Sequence, residues 1–172
     1  MHTPNPPLGL AYIAGQVRKS ELDLSVIDAV GEGLDEIQPY KARKDLMVQG
    51  LSVPEIVGRL HPSTDVVGIS CTFSTFWFLT REVVGAIREA RPSVRIVLGG
   101  EHGTAVPENV LRTSKVDIVV LGEGEEVFVR LLNCLRNNTP LEDLTGVAFL
   151  ADGEFHSTGP SPRQRALDKI AL

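Results

Sequence analysis

Three short apolar runs, residues 65–71, 94–98 and 116–121, alternate with stretches of helical period, and this alternation constrains the fold more than any other feature. Runs that are apolar at nearly every position belong to strands covered on both faces. Such strands alternating with helices build a parallel sheet with helices on each side. The middle run ends most informatively: Ile96-Val97-Leu98 stops at Gly99-Gly100, followed by Glu101-His102-Gly103-Thr104-Ala105. Glycines there let the backbone turn sharply and let something bulky lie against it. In an open α/β sheet, the carboxyl ends of the strands are where ligands bind.

The rest of the chain fits around these runs. Residues 1–7 hold three prolines and read as a loop. Leu10, Ile13, Ala14 and Val17 fall at i, i+3, i+4 and i+7 and predict a helix over 8–19, with Pro7 near its first turn. Leu22-Asp23-Leu24-Ser25-Val26-Ile27-Asp28 predicts a short strand, and the polar, weakly periodic stretch 31–50 a loop with a short helix. Ser52-Val53-Pro54-Glu55 has the form of a capping box and opens a helix reaching about residue 61. Helices are predicted over 75–91, ended by Pro92, over 104–114, interrupted near Pro107, and over 123–137. Asp152-Gly153 between residues 146–150 and 154–157 predicts a terminal β-hairpin. Residues 158–172, with Pro160 and Pro162, read as a linker, leaving a domain over 1–157.

A length of 172 residues suits one domain with a full core. The formal net charge of -5 argues against a nucleic-acid partner, which clustered Lys and Arg would hold. Cys71 and Cys134 are the only cysteines and form no Cys-x-x-Cys or Cys/His quartet, so neither a structural zinc site nor a chain-internal iron–sulfur cluster has enough ligands. No apolar run reaches membrane-spanning length, and the N-terminus has neither a basic nor an apolar signal region. The expected setting is cytoplasmic, with reduced thiols.

Three loops should gather on one sheet edge: Ser70-Cys71-Thr72-Phe73-Ser74, the segment from Gly99 through Glu101 and His102 to Thr104, and Gly122-Glu123-Gly124-Glu125. Ser70 and Ser74 suit either a helix cap or a ligand's hydrogen bonds. The glycine pair suits either a tight turn or close ligand approach, and a third glycine at Gly103 favours the latter. His102 fits a hydrogen-bonding role better than metal ligation, since no second ligand motif is near. Gly122-x-Gly124-x-x-Val127 lacks the third glycine of a dinucleotide fingerprint, and Glu123, Glu125 and Glu126 would repel a pyrophosphate. Phe76, Trp77 and Phe78 read as core, with one ring able to face a flat cofactor. Cys71 reads as a small buried residue rather than a nucleophile.

In its loop order the chain resembles the N-terminal cobalamin (B12)-binding domain of cobalamin-dependent radical S-adenosylmethionine enzymes. The resemblance rests on Pro6-Pro7-Leu8-Gly9-Leu10-Ala11-Tyr12-Ile13-Ala14, Val97-Leu98-Gly99-Gly100-Glu101-His102-Gly103-Thr104, Leu121-Gly122-Glu123-Gly124-Glu125 and the hairpin at Gly146-Val147-Ala148-Phe149 with Asp152-Gly153. It implies a flavodoxin-like (Rossmann-like) α/β fold binding cobalamin, with a [4Fe-4S] cluster and S-adenosylmethionine held by a catalytic domain elsewhere in the full enzyme. Ser70-Cys71-Thr72 and Gly99-Gly100 resemble the second and third motifs of the wider cobalamin-binding fold. The first, Asp-x-His-x-x-Gly, is missing, implying cobalamin bound base-off with no histidine beneath cobalt. By this resemblance Gly99 and Gly100 admit the nucleotide tail, Ser70 and Thr72 hydrogen-bond it, Gly122, Glu123 and Gly124 flank the corrin, and Phe73, Glu101, His102 and Thr104 complete the site. Gly100→Val should then weaken binding by filling the tail channel.

Two departures accompany the resemblance. The family's first strand precedes the Pro-Pro-Leu-Gly segment, whereas here six residues precede Pro7, so that strand is expected to be truncated. The Cys-x-x-x-Cys-x-x-Cys cluster motif is absent, so these residues alone cannot perform radical chemistry, and no catalytic residue is assigned. The alternatives are a non-catalytic signalling or interaction domain of the same topology, and a small α/β enzyme acting through Glu101 and His102.

Overall fold

The computed structural model of the chain describes residues 6–160. The apolar runs form the parallel part of a five-stranded sheet: β3 (Val66–Ser70), β4 (Arg95–Gly99) and β5 (Ile118–Val120). The expected hairpin, β6 (Val147–Ala151) and β7 (Glu154–Ser157), joins antiparallel to β5, giving the order β3-β4-β5-β6-β7. Asp152 and Gly153 both have positive φ at its turn, the backbone that an Asp-Gly hairpin requires. Beyond the strand, Thr158 is tied to the sheet, its hydroxyl donating to the carbonyl of Leu144 at 2.7 Å. The rest of the expected linker, residues 161–172, and residues 1–5 of the N-terminal loop lie outside the described residues.

Strand alternation sends successive residues to opposite faces, and both faces are covered. Ile96, Leu98 and Val119 enter one apolar cluster with Val84 and Ile87 of α3 (Trp77–Ala90) and Val110 and Leu111 of α5 (Pro107–Thr113). Val97, Ile118 and Val120 enter a second with Val127 and Leu131 of α6 (Gly124–Asn137). Each fully buried branched side chain of this kind contributes about 2 kcal/mol, so the sheet is held from both sides. Asp117, just before β5, accepts hydrogen bonds from Arg88 Nη2 at 2.6 Å and the Ile96 amide at 2.7 Å, pinning α3 to the amino ends of the strands. No helix among the described residues is long and apolar enough to cross a membrane.

The predicted helices are present as α1 (Leu8–Lys19), α2 (Val53–Gly58), α3, α5 and α6. The Ser52–Glu55 box is formed, with the Ser52 amide donating to the Glu55 carboxylate at 2.8 Å. The break at Pro107 is also present, but the helix before it, α4 (Glu101–Ala105), starts earlier than the sequence pattern indicated.

Two expectations are corrected. Residues 22–28 form no strand and join neither sheet. Residues 31–50 hold an antiparallel hairpin, β1 (Ile37–Tyr40) and β2 (Arg43–Gln49), after a 3₁₀ turn at Gly31–Gly33. Its polar composition hid it: Arg43, Lys44 and Asp45 are exposed, and the ribbon meets the body through Tyr40, edge-on to Phe78 at 5.0 Å.

Because β3 is hydrogen-bonded only to β4, its other edge faces a cleft. Residues 22–30, α1 and the end of β2 form the opposite wall, and the cleft runs along β3 and β4 to a mouth at their carboxyl ends, its lining also reaching their amino ends. The described residues contain no strand ahead of α1.

Candidate functional site

Three strand ends converge at the mouth of the cleft. Ser70 is in register with Gly99, and the Cys71 amide donates to the Gly99 carbonyl at 2.9 Å, so the Ser70 and Gly99 loops leave the sheet side by side. Thr104 ties in the third loop: its hydroxyl donates to the Gly100 carbonyl at 3.2 Å and accepts from the Gly122 amide at 3.0 Å. The predicted residues of these loops line the cleft, with the exceptions of Cys71, Ser74, His102 and Gly103.

The two glycines of the pair prove to serve different ends. Gly100 has φ 97° and ψ 174°, and a Cβ placed there would lie 2.6 Å from the Cys71 carbonyl oxygen. Backbone geometry therefore demands glycine at this position, and its Cβ would strike the chain rather than fill a channel. Gly99 has no positive φ, and a Cβ there would meet nothing within 4 Å. The fold does not need glycine at 99, yet its absent side chain leaves the cleft open where β4 ends.

Around this opening the lining is acidic and aromatic. Glu101, Glu123 and Glu125 line the carboxyl edge, a set that accepts hydrogen bonds from amide or cationic donors and repels phosphate-rich ligands. Phe73 and Phe76, 64% and 55% exposed, form an edge-to-face pair with centroids 6.2 Å apart. Phe76 is thus not core, as its sequence position had indicated. It belongs to a 3₁₀ turn, Ser74–Phe76, which shifts the helical phase before α3 begins. The cleft encloses about 3220 Å³, several times the roughly 300–1,000 Å³ of pockets for drug-sized ligands.

His102 sits apart from this lining. Only 7% exposed, it is turned away from the cleft, its ring 4.7 Å from that of Trp77 and its Nδ1 2.9 Å from Ser74 Oγ. Ser74 therefore bonds the imidazole rather than capping a helix. Nε2 of His102 is buried without a partner, the one such side-chain atom among the described residues, and an orphan of this kind costs about 1–3 kcal/mol.

Burial also pushes the His102 pKa below the ordinary imidazole value. Between that lowered value and the unfolded value of about 6.5, the unfolded chain binds more protons than the folded one. Stability therefore rises with pH across this window and is lost as pH falls through it. Urea midpoints measured from about pH 7 to about pH 5 should fall, and His102→Phe should remove part of that fall.

Among the described residues, no group of three or more His, Cys, Asp or Glu could hold a metal ion. His61 bonds Ser63 at the amino end of the sheet, and His156 stacks on Phe149, so neither presents a ring nitrogen to the mouth.

A protein-family model described as B12 binding domain matches residues 2–132. An uncharacterized methyltransferase of Pyrococcus horikoshii is 31% identical over 99% of the chain, which spans 33% of that relative. The cytidylyl-2-hydroxyethylphosphonate methyltransferase of Streptomyces wedmorensis is 31% identical over 83% of the chain and 27% of its own length. The anaerobic magnesium-protoporphyrin IX monomethyl ester cyclase of Rubrivivax gelatinosus is 30% identical over 96% of the chain and 28% of its own length. The chain thus spans a third or less of these relatives. Among solved structures, the radical S-adenosylmethionine methyltransferase TsrM of Kitasatospora setae, with cobalamin and a [4Fe-4S] cluster bound, superposes with a TM-score of 0.69 at 17% identity, covering 99% of the chain and 29% of TsrM. The cobalamin-dependent S-adenosylmethionine radical enzyme OxsB, with aqua-cobalamin and S-adenosylmethionine bound, gives 0.60 at 17% identity, over 84% of the chain and 21% of OxsB. At such identity these two share the fold.

Proposed function

The chain belongs to the B12-binding domain family, and from that premise we propose that it is the cobalamin-holding module of a cobalamin-dependent radical S-adenosylmethionine enzyme. The observation that carries the reading is Gly99: a glycine at the carboxyl end of β4 that the backbone does not require and that faces open cleft. In this reading the nucleotide tail runs past Gly99, with Ser70 and Thr72 as its hydrogen-bonding neighbours. The corrin, flat and rimmed with amides, lies across the mouth, where Glu101 and the Gly122 loop offer acceptors and Phe73 and Phe76 offer apolar faces. The size of the cleft supports a ligand of this class over a small substrate.

In this reading cobalamin is bound base-off and without a histidine ligand, which is supported by the absence of an Asp-x-His-x-x-Gly segment from the sequence and, among the described residues, by His102 being bonded to Ser74 away from the cleft. When bound, the cofactor supplies a cobalt centre for methyl transfer or for ring-forming and ring-contracting chemistry. The residues of this chain bind and orient it. The [4Fe-4S] cluster and S-adenosylmethionine belong to a radical S-adenosylmethionine catalytic domain, whose Cys-x-x-x-Cys-x-x-Cys motif these 172 residues do not contain.

Mixing the chain with hydroxocobalamin, desalting it and recording a visible spectrum tests the proposal. The corrin chromophore should co-elute with the protein near one equivalent. A folded chain that emerges colourless rules the reading out in favour of an interaction domain of the same topology.

A further inference from the structure

We propose that His102 is a positioning residue for the ligand site, fixing the loop over residues 71–76 against the sheet edge without itself reaching the ligand; this rests on the cobalamin reading above. Two attachments join His102 to that loop and a third to Trp77 just after it. Its amide donates to the Cys71 carbonyl at 3.1 Å, its Nδ1 meets Ser74 Oγ at 2.9 Å, and its ring lies against Trp77 at 4.7 Å with an interplanar angle of 32°. Between and beside these anchors stand Thr72, Phe73 and Phe76, which line the cleft. The loop's own ties are local: the Phe76 amide donates to the Phe73 carbonyl at 3.0 Å, the Trp77 amide to the Ser74 carbonyl and the Cys71 thiol to the Phe73 carbonyl at 3.6 Å, and no side chain caps the 3₁₀ turn.

Packing alone does not account for an imidazole at this position. A phenylalanine would lie on Trp77 equally well and would bury no unpartnered nitrogen, whereas His102 buries Nε2 without a partner. What the imidazole adds is the bond from Nδ1 to Ser74, and Ser74 is an exposed residue of the loop, outside the core. The bond orders Phe73 and Phe76 before a ligand arrives, so less freedom is lost on binding.

The test compares the 172-residue chain with Ser74→Ala, His102→Phe, His102→Asn and the Ser74→Ala/His102→Phe double variant, titrated with hydroxocobalamin and followed by visible absorbance. Ser74→Ala and His102→Phe should each raise Kd about tenfold, and the double variant no further, because both remove the same bond. His102→Asn, whose amide occupies the place of Nδ1, should stay within about threefold of the parent. Thermal unfolding of His102→Phe should be no lower than the parent's at neutral pH. Ser74 is exposed, so its variant carries the test should a His102 variant misfold. Parent-like affinity in Ser74→Ala overturns the proposal, as does additivity in the double variant or an Asn variant as weak as Phe. A parent chain that binds no hydroxocobalamin overturns the proposed function, and this proposal with it; a parent that binds while the variants are indifferent overturns this proposal alone.

Discussion

Gly99→Leu is expected to weaken hydroxocobalamin binding by about a hundredfold, roughly 3 kcal/mol, while leaving the urea midpoint within error of the parent. The expectation follows from where the new side chain would go. Backbone at 99 is ordinary strand, Cβ would meet no atom within 4 Å, and the position lines the cleft at the end of β4. An isobutyl group there costs the folded apo chain little but occupies the space that a bound tail would need. Equilibrium dialysis of both proteins against hydroxocobalamin reads the affinity, and urea denaturation reads the stability. Unchanged affinity would remove the tail from this side of the cleft.

Gly100→Val should do the reverse, lowering stability by about 3 kcal/mol and losing ligand only because the loops no longer assemble. The φ of 97° with ψ of 174° is reached readily by glycine alone, and the added carbon would sit 2.6 Å from a backbone carbonyl that cannot rotate away. That carbonyl, on Cys71, also receives the His102 amide, so a shift would disturb both neighbouring loops. Even Gly100→Ala should share most of the loss, since the clash begins at Cβ. Urea denaturation of both variants checks this, and a midpoint equal to the parent's would contradict the geometry.

The contrast between these two glycines marks how far the sequence could be read. That a glycine pair ended a buried strand beside a ligand site was legible, because an apolar run bounded by Gly has few other solutions. Which glycine served the backbone and which the opening depended on the distance to Cys71, a contact across nearly thirty residues that no local pattern encodes. The sheet was legible wherever strands are apolar on both faces, as at residues 94–98. It was not where a strand-like pattern lacked a partner, as at residues 22–28, or where a ribbon was polar and carried a proline, as in Ile37-Gln38-Pro39-Tyr40. The resemblance counts His102 among the site residues, with the helix expected to begin at 104. Its actual start at Glu101 brings the imidazole into the first turn and turns it inward onto Trp77.

The single-sided pairing of β3 divides the cleft walls by how they unfold. One wall is the sheet itself, whose ladder opens only with the core. The other, residues 22–30 with the β1–β2 ribbon, shares no ladder with that sheet and is held by side-chain ties such as Arg59 to Glu32 and Tyr40 to Phe78. Segments attached in this way open locally at a small fraction of the global free energy. On the proposed reading, a large ligand is expected to enter and leave by displacing the soft wall while the loops on the rigid wall keep their geometry. Exchange kinetics should then follow substitutions in the N-terminal third of the domain, and selectivity those at the strand ends.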